Sequence, residues 1–73
     1  MAVEVFKTNV SKRKYATVLL IEIHKAFIDY NANFDLEDCD KILRVQCNRG
    51  KIKSRALILF LKSFGYHAEV LVE

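Results

Sequence analysis

Ala32-Asn33-Phe34-Asp35-Leu36-Glu37 alternates apolar and polar residues. Asp38-Cys39-Asp40 then breaks the run, and Ile42-Leu43-Arg44-Val45-Gln46-Cys47 resumes it. A period of two on both sides of a short acidic turn is the signature of a β-hairpin. On the third strand Leu43, Val45 and Cys47 share one face and Ile42, Arg44 and Gln46 the other. Each side of the hairpin carries a helix and a further strand. Upstream, Ala16, Leu19, Leu20, Ile23, Phe27 and Tyr30 step by three or four, predicting a helix over residues 12–30, with Ser11 as its N-cap. Before it, residues 2–8 alternate as a strand. Downstream, Asn48-Arg49-Gly50 turns the chain, and Ala56, Leu57, Phe60, Leu61 and Phe64 mark a second helix over residues 51–64. Gly65 sits where a helix end favours positive φ. Residues 66–72 form the last strand.

The order is βαββαβ in one domain, residues 1–73. Right-handed crossovers turn this order into a ferredoxin-like α+β sandwich. Its four-stranded antiparallel sheet has order 4-1-3-2 and both helices on one face. The expected core holds Val3, Val5, Leu20, Ile23, Phe27, Phe34, Leu36, Leu43, Val45, Phe60, Phe64 and Val70. An apolar share of 52% suits such a core, and the absence of proline suits long regular elements.

With this order in view, the chain resembles the heavy-metal-associated domain of copper chaperones and metal-pumping ATPases. The resemblance rests on length, element order, the hairpin from Phe34-Asp35-Leu36 into Ile42-Leu43-Arg44-Val45, and the ending Phe64-Gly65-Tyr66-His67-Ala68. It implies the fold, and in that family a Cys-x-x-Cys loop after the first strand holds the metal. Here that loop reads Lys7-Thr8-Asn9-Val10-Ser11-Lys12-Arg13, and the thiol positions hold Val10 and Arg13. A soft cation needs thiolate or imidazole ligands, which neither residue offers. The family's metal binding does not carry over to this loop, and no cofactor is expected.

Other metal or catalytic groups are sparse. Cys39, with Asp38 and Asp40, is the alternative metal site, in a turn that also carries Asp35 and Glu37. Charged turns also serve simply to keep a hairpin soluble. Cys47 lies at the far end of the third strand and reads as a core residue. His24 and His67 have no ligand at metal spacing. No nucleophile elbow, zinc-protease helix, phosphate loop or dinucleotide fingerprint occurs. Cys39 is flanked by two aspartates, a poor setting for a nucleophilic cysteine, so an enzyme is not expected. No run is long enough to span a bilayer and the start carries no basic-then-apolar leader, so a cytoplasmic protein with reduced thiols and no membrane partner is expected.

Net charge is +3, which alone names no partner. With the first and third strands taken as parallel neighbours, the loops after them share one end of the domain. That end would gather Lys12, Arg13, Lys14, Arg49, Lys51, Lys53 and Arg55 around two helix N-termini, opposite the acidic turn. Cations there oppose the helix dipole, so such a cluster suits an acidic protein or an anion. The expected function is therefore a binding or adaptor module. RNA binding is disfavoured, because the open sheet face offers only Phe6 as an aromatic and no RNA-recognition signature appears. A homodimer through the open sheet face would use Phe6, Ile42 and Leu71, and Val18 and Ile58 are expected to point away from the core.

Overall fold

A computed structural model describes residues 1–71. The elements are β1 (Ala2–Thr8), α1 (Arg13–Ala26), β2 (Tyr30–Asp35), β3 (Ile42–Cys47), α2 (Ser54–Ser63) and β4 (Ala68–Val70). The fold is α+β, with one antiparallel sheet in the order β2-β3-β1-β4. This is the expected order read from the opposite edge, and it is compatible with a ferredoxin-like sandwich. Val72, expected in the last strand, lies outside the described residues.

One pairing overturns the expected layout of charge. β1 and β3 are neighbours but run antiparallel, with Ala2 opposite Cys47 and Phe6 opposite Leu43. β2 joins the same rows, with Tyr30 opposite Cys47 and Phe34 opposite Leu43. The chain therefore leaves β1 and β3 at opposite ends of the sheet. Residues 9–12 and the hairpin turn, residues 36–41, meet at one end. Residues 27–29 and 48–53 meet at the other.

The core lies between the sheet and both helices. Phe6, Phe34, Leu43 and Val45 face Leu19, Ile23, Leu57 and Leu61, all buried. Of the expected core, Ile23, Phe34, Leu43 and Val45 are buried, and Leu20, Phe27, Leu36 and Phe60 pack against them half-buried. Ile58 also packs against the core instead of pointing away, whereas Val18 is exposed.

The face of β1 is the reverse of the expected one. Phe6 is 0% exposed and Val3 46%. The strand offers apolar groups to both faces, so alternation alone leaves the choice open. Phenylalanine removes more apolar area from water than valine, and Phe6 opposite Leu43 puts both on the helix side. Glu4 then also turns inward, at the sheet end where its carboxylate accepts a hydrogen bond from Ser54 Oγ at 3.3 Å. Phe64 and Val70 are exposed because one caps a helix and the other ends an edge strand.

Both helices are shorter than their apolar stripes. α1 stops at Ala26, Phe27 is its C-cap, and Tyr30 opens β2. Phe27 and Tyr30 stack at 5.2 Å between ring centres, so the stripe continues as packing after the helix has ended. Lys12, not Ser11, is the N-cap, and no side chain caps it. At the end of α2, Gly65 has φ +89°. The Tyr66 amide donates to Leu61 O and the Gly65 amide to Lys62 O, which is the Schellman motif.

Candidate functional site

The seven cations expected at one end divide between two. Lys12, Arg13 and Lys14 lie at the hairpin end, beside the acidic turn. Arg49, Lys51, Lys53 and Arg55 lie at the opposite end, where α2 begins. The single basic pole does not exist, because its premise of parallel β1 and β3 fails.

At the hairpin end hydrogen bonds tie the loop after β1 to the turn, and a second cavity of about 450 Å³ opens beside them between Asn9, the end of α2 and Tyr66-His67-Ala68. Thr8 is buried; its amide donates to Asp40 O at 3.0 Å, and its hydroxyl donates to Lys41 O at 2.6 Å and accepts from the Val10 amide at 3.2 Å. The His67 amide donates to Asn9 Oδ1 at 2.9 Å. Val10 is wholly buried in the core. Val10 is a plug and offers no ligand atom, and this loop does not fit a soft cation. Arg13 reaches back over the sheet edge and donates to Phe34 O at 3.4 Å. From the same helix, His24 Nε2 accepts from the Ala32 amide at 3.0 Å. Two side chains of α1 thus satisfy outward backbone groups of edge strand β2.

The acidic turn has structural work of its own. The Asp35 carboxylate accepts from the Glu37 amide at 3.2 Å and the Asp38 carboxylate from the Asp40 amide at 2.9 Å. These are Asx turns, the local reason for aspartate in a tight connection. Asp40 pairs with Lys7 at 3.8 Å, and Lys41 Nζ donates to Leu36 O at 3.0 Å. Lys41 itself holds φ +48°. Asp38, Cys39 and Asp40 each bring one ligand atom within 4.8 Å of the other two. Cys39 is exposed, while Cys47 is buried as expected.

The other end is open. A cavity of about 450 Å³ is lined by Ala26, Phe27, Ile28, Asp29, Tyr30, Cys47, Arg49, Lys51 and Lys53. Its walls are the turn after α1 and the connection from β3 to α2. Tyr30 joins them: its hydroxyl accepts from the Lys53 amide at 2.7 Å. Gly50 holds φ +113° in that connection, a conformation that glycine adopts without strain. Among the described residues, the ion pairs are Lys7–Asp40, Lys25–Glu22 and His67–Glu69. Arg49, Lys51, Lys53 and Arg55 take part in none of them. α2 has no side-chain cap and no acidic residue in its own first turn, so its positive dipole end adds to theirs, offset in part by the Glu4 carboxylate on Ser54 Oγ.

The sequence reading missed the apolar wall, Phe27, Ile28 and Tyr30, because it ran the helix through them. Asp29 and Asn31, poor helix residues on either side of Tyr30, were the available signal of an earlier stop.

The open sheet face does not offer the expected dimer patch. Phe6 is on the other side, and Ile42 is only 5% exposed. The face instead shows Val3 among polar neighbours, with Leu71 half-buried. Among the described residues no helix is long and apolar enough to cross a membrane. Compared with known proteins, the chain matches no family model, no curated protein and no solved structure.

Proposed function

We propose that this domain is a non-catalytic binding module that receives an acidic partner or anion at the end where α2 begins. The carrying observation is the cavity edged by Arg49, Lys51 and Lys53, three cations that enter none of the ion pairs among the described residues. Arg55 in the first turn of α2 extends the same field. Positive charge in excess of the nearby Glu4 and Asp29 carboxylates, beside a helix start with no side-chain cap, costs stability, and an incoming anion offsets that cost. Lys12, Arg13 and Lys14, near four carboxylates, are a poorer anion site than the sequence suggested. The non-catalytic part of the reading is supported by Cys47 being buried and His24 being committed to the Ala32 amide. Both are groups that a nucleophile–base pair would draw on.

The same proposal treats the fold as ferredoxin-like and the protein as a cytoplasmic relative, in fold, of the heavy-metal-associated domain. Its support is the element order, the strand order and two free thiols.

The test uses inorganic polyphosphate as the probe and calorimetry at low and high salt. Binding weakens with salt, as a charge-driven contact must. The Lys51→Glu/Lys53→Glu double variant loses affinity about tenfold or more, as expected when two attractive charges become repulsive. Lys12→Glu/Lys14→Glu, at the other end, changes it by less than about twofold. Equal affinity of wild type and Lys51→Glu/Lys53→Glu sinks the reading.

A second reading has its own observation, the convergence of Asp38, Cys39 and Asp40. One sulfur with two carboxylates suits zinc better than Cu(I). Its test is a zinc titration: one equivalent bound by the wild type and none by Cys39→Ser supports it, and identical traces dismiss it.

A further inference from the structure

We propose that the occupant of this cavity is an acidic peptide segment carrying one large apolar side chain, which enters the cavity while flanking carboxylates meet the cations. The inference rests on the binding reading above and makes it specific. A charge cluster alone would not select a peptide. What selects it is the apolar wall beside the charge.

Ile28 is 83% exposed, an unusual position for a large branched side chain. It lines the same cavity as Arg49, Lys51 and Lys53. Ala26, Phe27 and the ring of Tyr30 continue the apolar surface inward, and Cys47 belongs to the same lining. A phosphate would satisfy the cations and leave that surface in water. A side chain of phenylalanine or leucine size covers it, and about 450 Å³ gives it room. An apolar anchor surrounded by a polar rim is the usual anatomy of a peptide or protein contact.

The charge pattern fits the same occupant. The cavity rim carries three cations and one carboxylate, Asp29. Carboxylates of the segment on either side of its anchor therefore meet mostly positive charge. The cavity is also built before binding. The Tyr30 hydroxyl fixes the β3–α2 connection through the Lys53 amide, and the Tyr30 ring is stacked on Phe27. Little ordering is left for the partner to impose, which favours affinity. A nucleic-acid backbone would use the cations but not Ile28. A bilayer would use both, but it presents a flat surface to a concave site.

The experiment measures fluorescence anisotropy with three labelled probes on the full chain. The first is a glutamate-rich peptide with one central phenylalanine, the second the same peptide with alanine there, and the third inorganic polyphosphate. Vesicles of phosphatidylcholine with a third phosphatidylglycerol form a further arm. The anchored peptide is expected to bind about ten- to hundredfold tighter than the alanine peptide, the gain for burying one large apolar side chain. Ile28→Ser reduces that advantage several-fold and leaves polyphosphate binding unchanged. Lys51→Glu/Lys53→Glu weakens all three probes. Equal binding of the two peptides overturns this inference while the anion reading stands. Vesicle binding that competes out the anchored peptide overturns it in favour of a lipid surface. Binding of no probe ends both.

Discussion

The two ends of the sheet carry similar numbers of basic residues and use them in opposite ways. At the hairpin end, Lys7 pairs with Asp40, Lys41 holds Leu36 O and Arg13 covers Phe34 O. Those three contacts tie that end together, while Lys12 and Lys14 enter no ion pair among the described residues. At the other end Arg49, Lys51, Lys53 and Arg55 enter no ion pair among the described residues, and the connection is positioned by a neutral hydroxyl, that of Tyr30. A basic residue count therefore says little about binding until the topology says which cations have partners. The antiparallel pairing of β1 with β3 decides that here, because it separates two basic segments that a parallel pairing would have merged.

The comparison breaks first at Val10. Val10 is wholly buried, so Val10→Asp buries a carboxylate with no partner and costs more than about 3 kcal/mol. That is a large part of the stability of so small a domain. Ile28→Asp, at the open end, stays within about 0.5 kcal/mol of wild type, because its side chain is already in water. Urea unfolding of the two variants checks the pair. Similar midpoints would show that Val10 does not seal the loop after β1. Thr8→Val is the next step down. It keeps the shape and removes the hydroxyl that serves both Lys41 O and the Val10 amide. Two groups lose a partner, and about 2 kcal/mol is expected. A shift of only a few tenths in the same unfolding assay would mean that this lacing does not hold the end together.

Much of the fold was legible in the sequence, and the reasons differ between elements. The hairpin was legible because Leu43, Val45 and Cys47 share a buried face while the other positions of β3 are mostly polar, so only one register buries the strand. Gly65 was legible because a positive φ at a helix end has a strong residue preference. β1 was not, since its two faces both offer apolar groups and the choice is made by Leu43 across the sheet. The end of α1 was not, because Phe27 and Tyr30 keep the helical spacing after the helix has stopped, held by stacking instead of by the backbone ladder. The candidate site suffered most. Its residues were largely named, but their grouping depended on a strand direction that local pattern does not encode. Two connections that each cross the sheet and are separated by a hairpin leave the first and third strands antiparallel, so the correct grouping follows from the order βαββαβ itself.

Tyr30→Phe keeps the ring stacked on Phe27 and deletes the acceptor of the Lys53 amide. The freed amide is close to solvent, so the stability cost is about 0.5–1 kcal/mol. The local effect is larger than the global one: hydrogen exchange at the Lys53 amide quickens, while that of Leu57, donated to Lys53 O within the first turn of α2, changes less. Unchanged exchange at Lys53 would show that the connection is held by something other than Tyr30.

Arg13→Ala gives the smallest change and separates two uses of one residue. At 3.4 Å the bond to Phe34 O is long, and Arg13 is an exposed residue, so its loss costs a few tenths of a kcal/mol. If Arg13 served an anion, the same substitution would weaken polyphosphate binding about as much as losing one of the cavity cations. Its role at the edge of β2 predicts otherwise: affinity stays put, and the small loss appears only in the unfolding midpoint. A clear fall in affinity with an unmoved midpoint would return Arg13 to the binding surface and dissolve the contrast between the two ends.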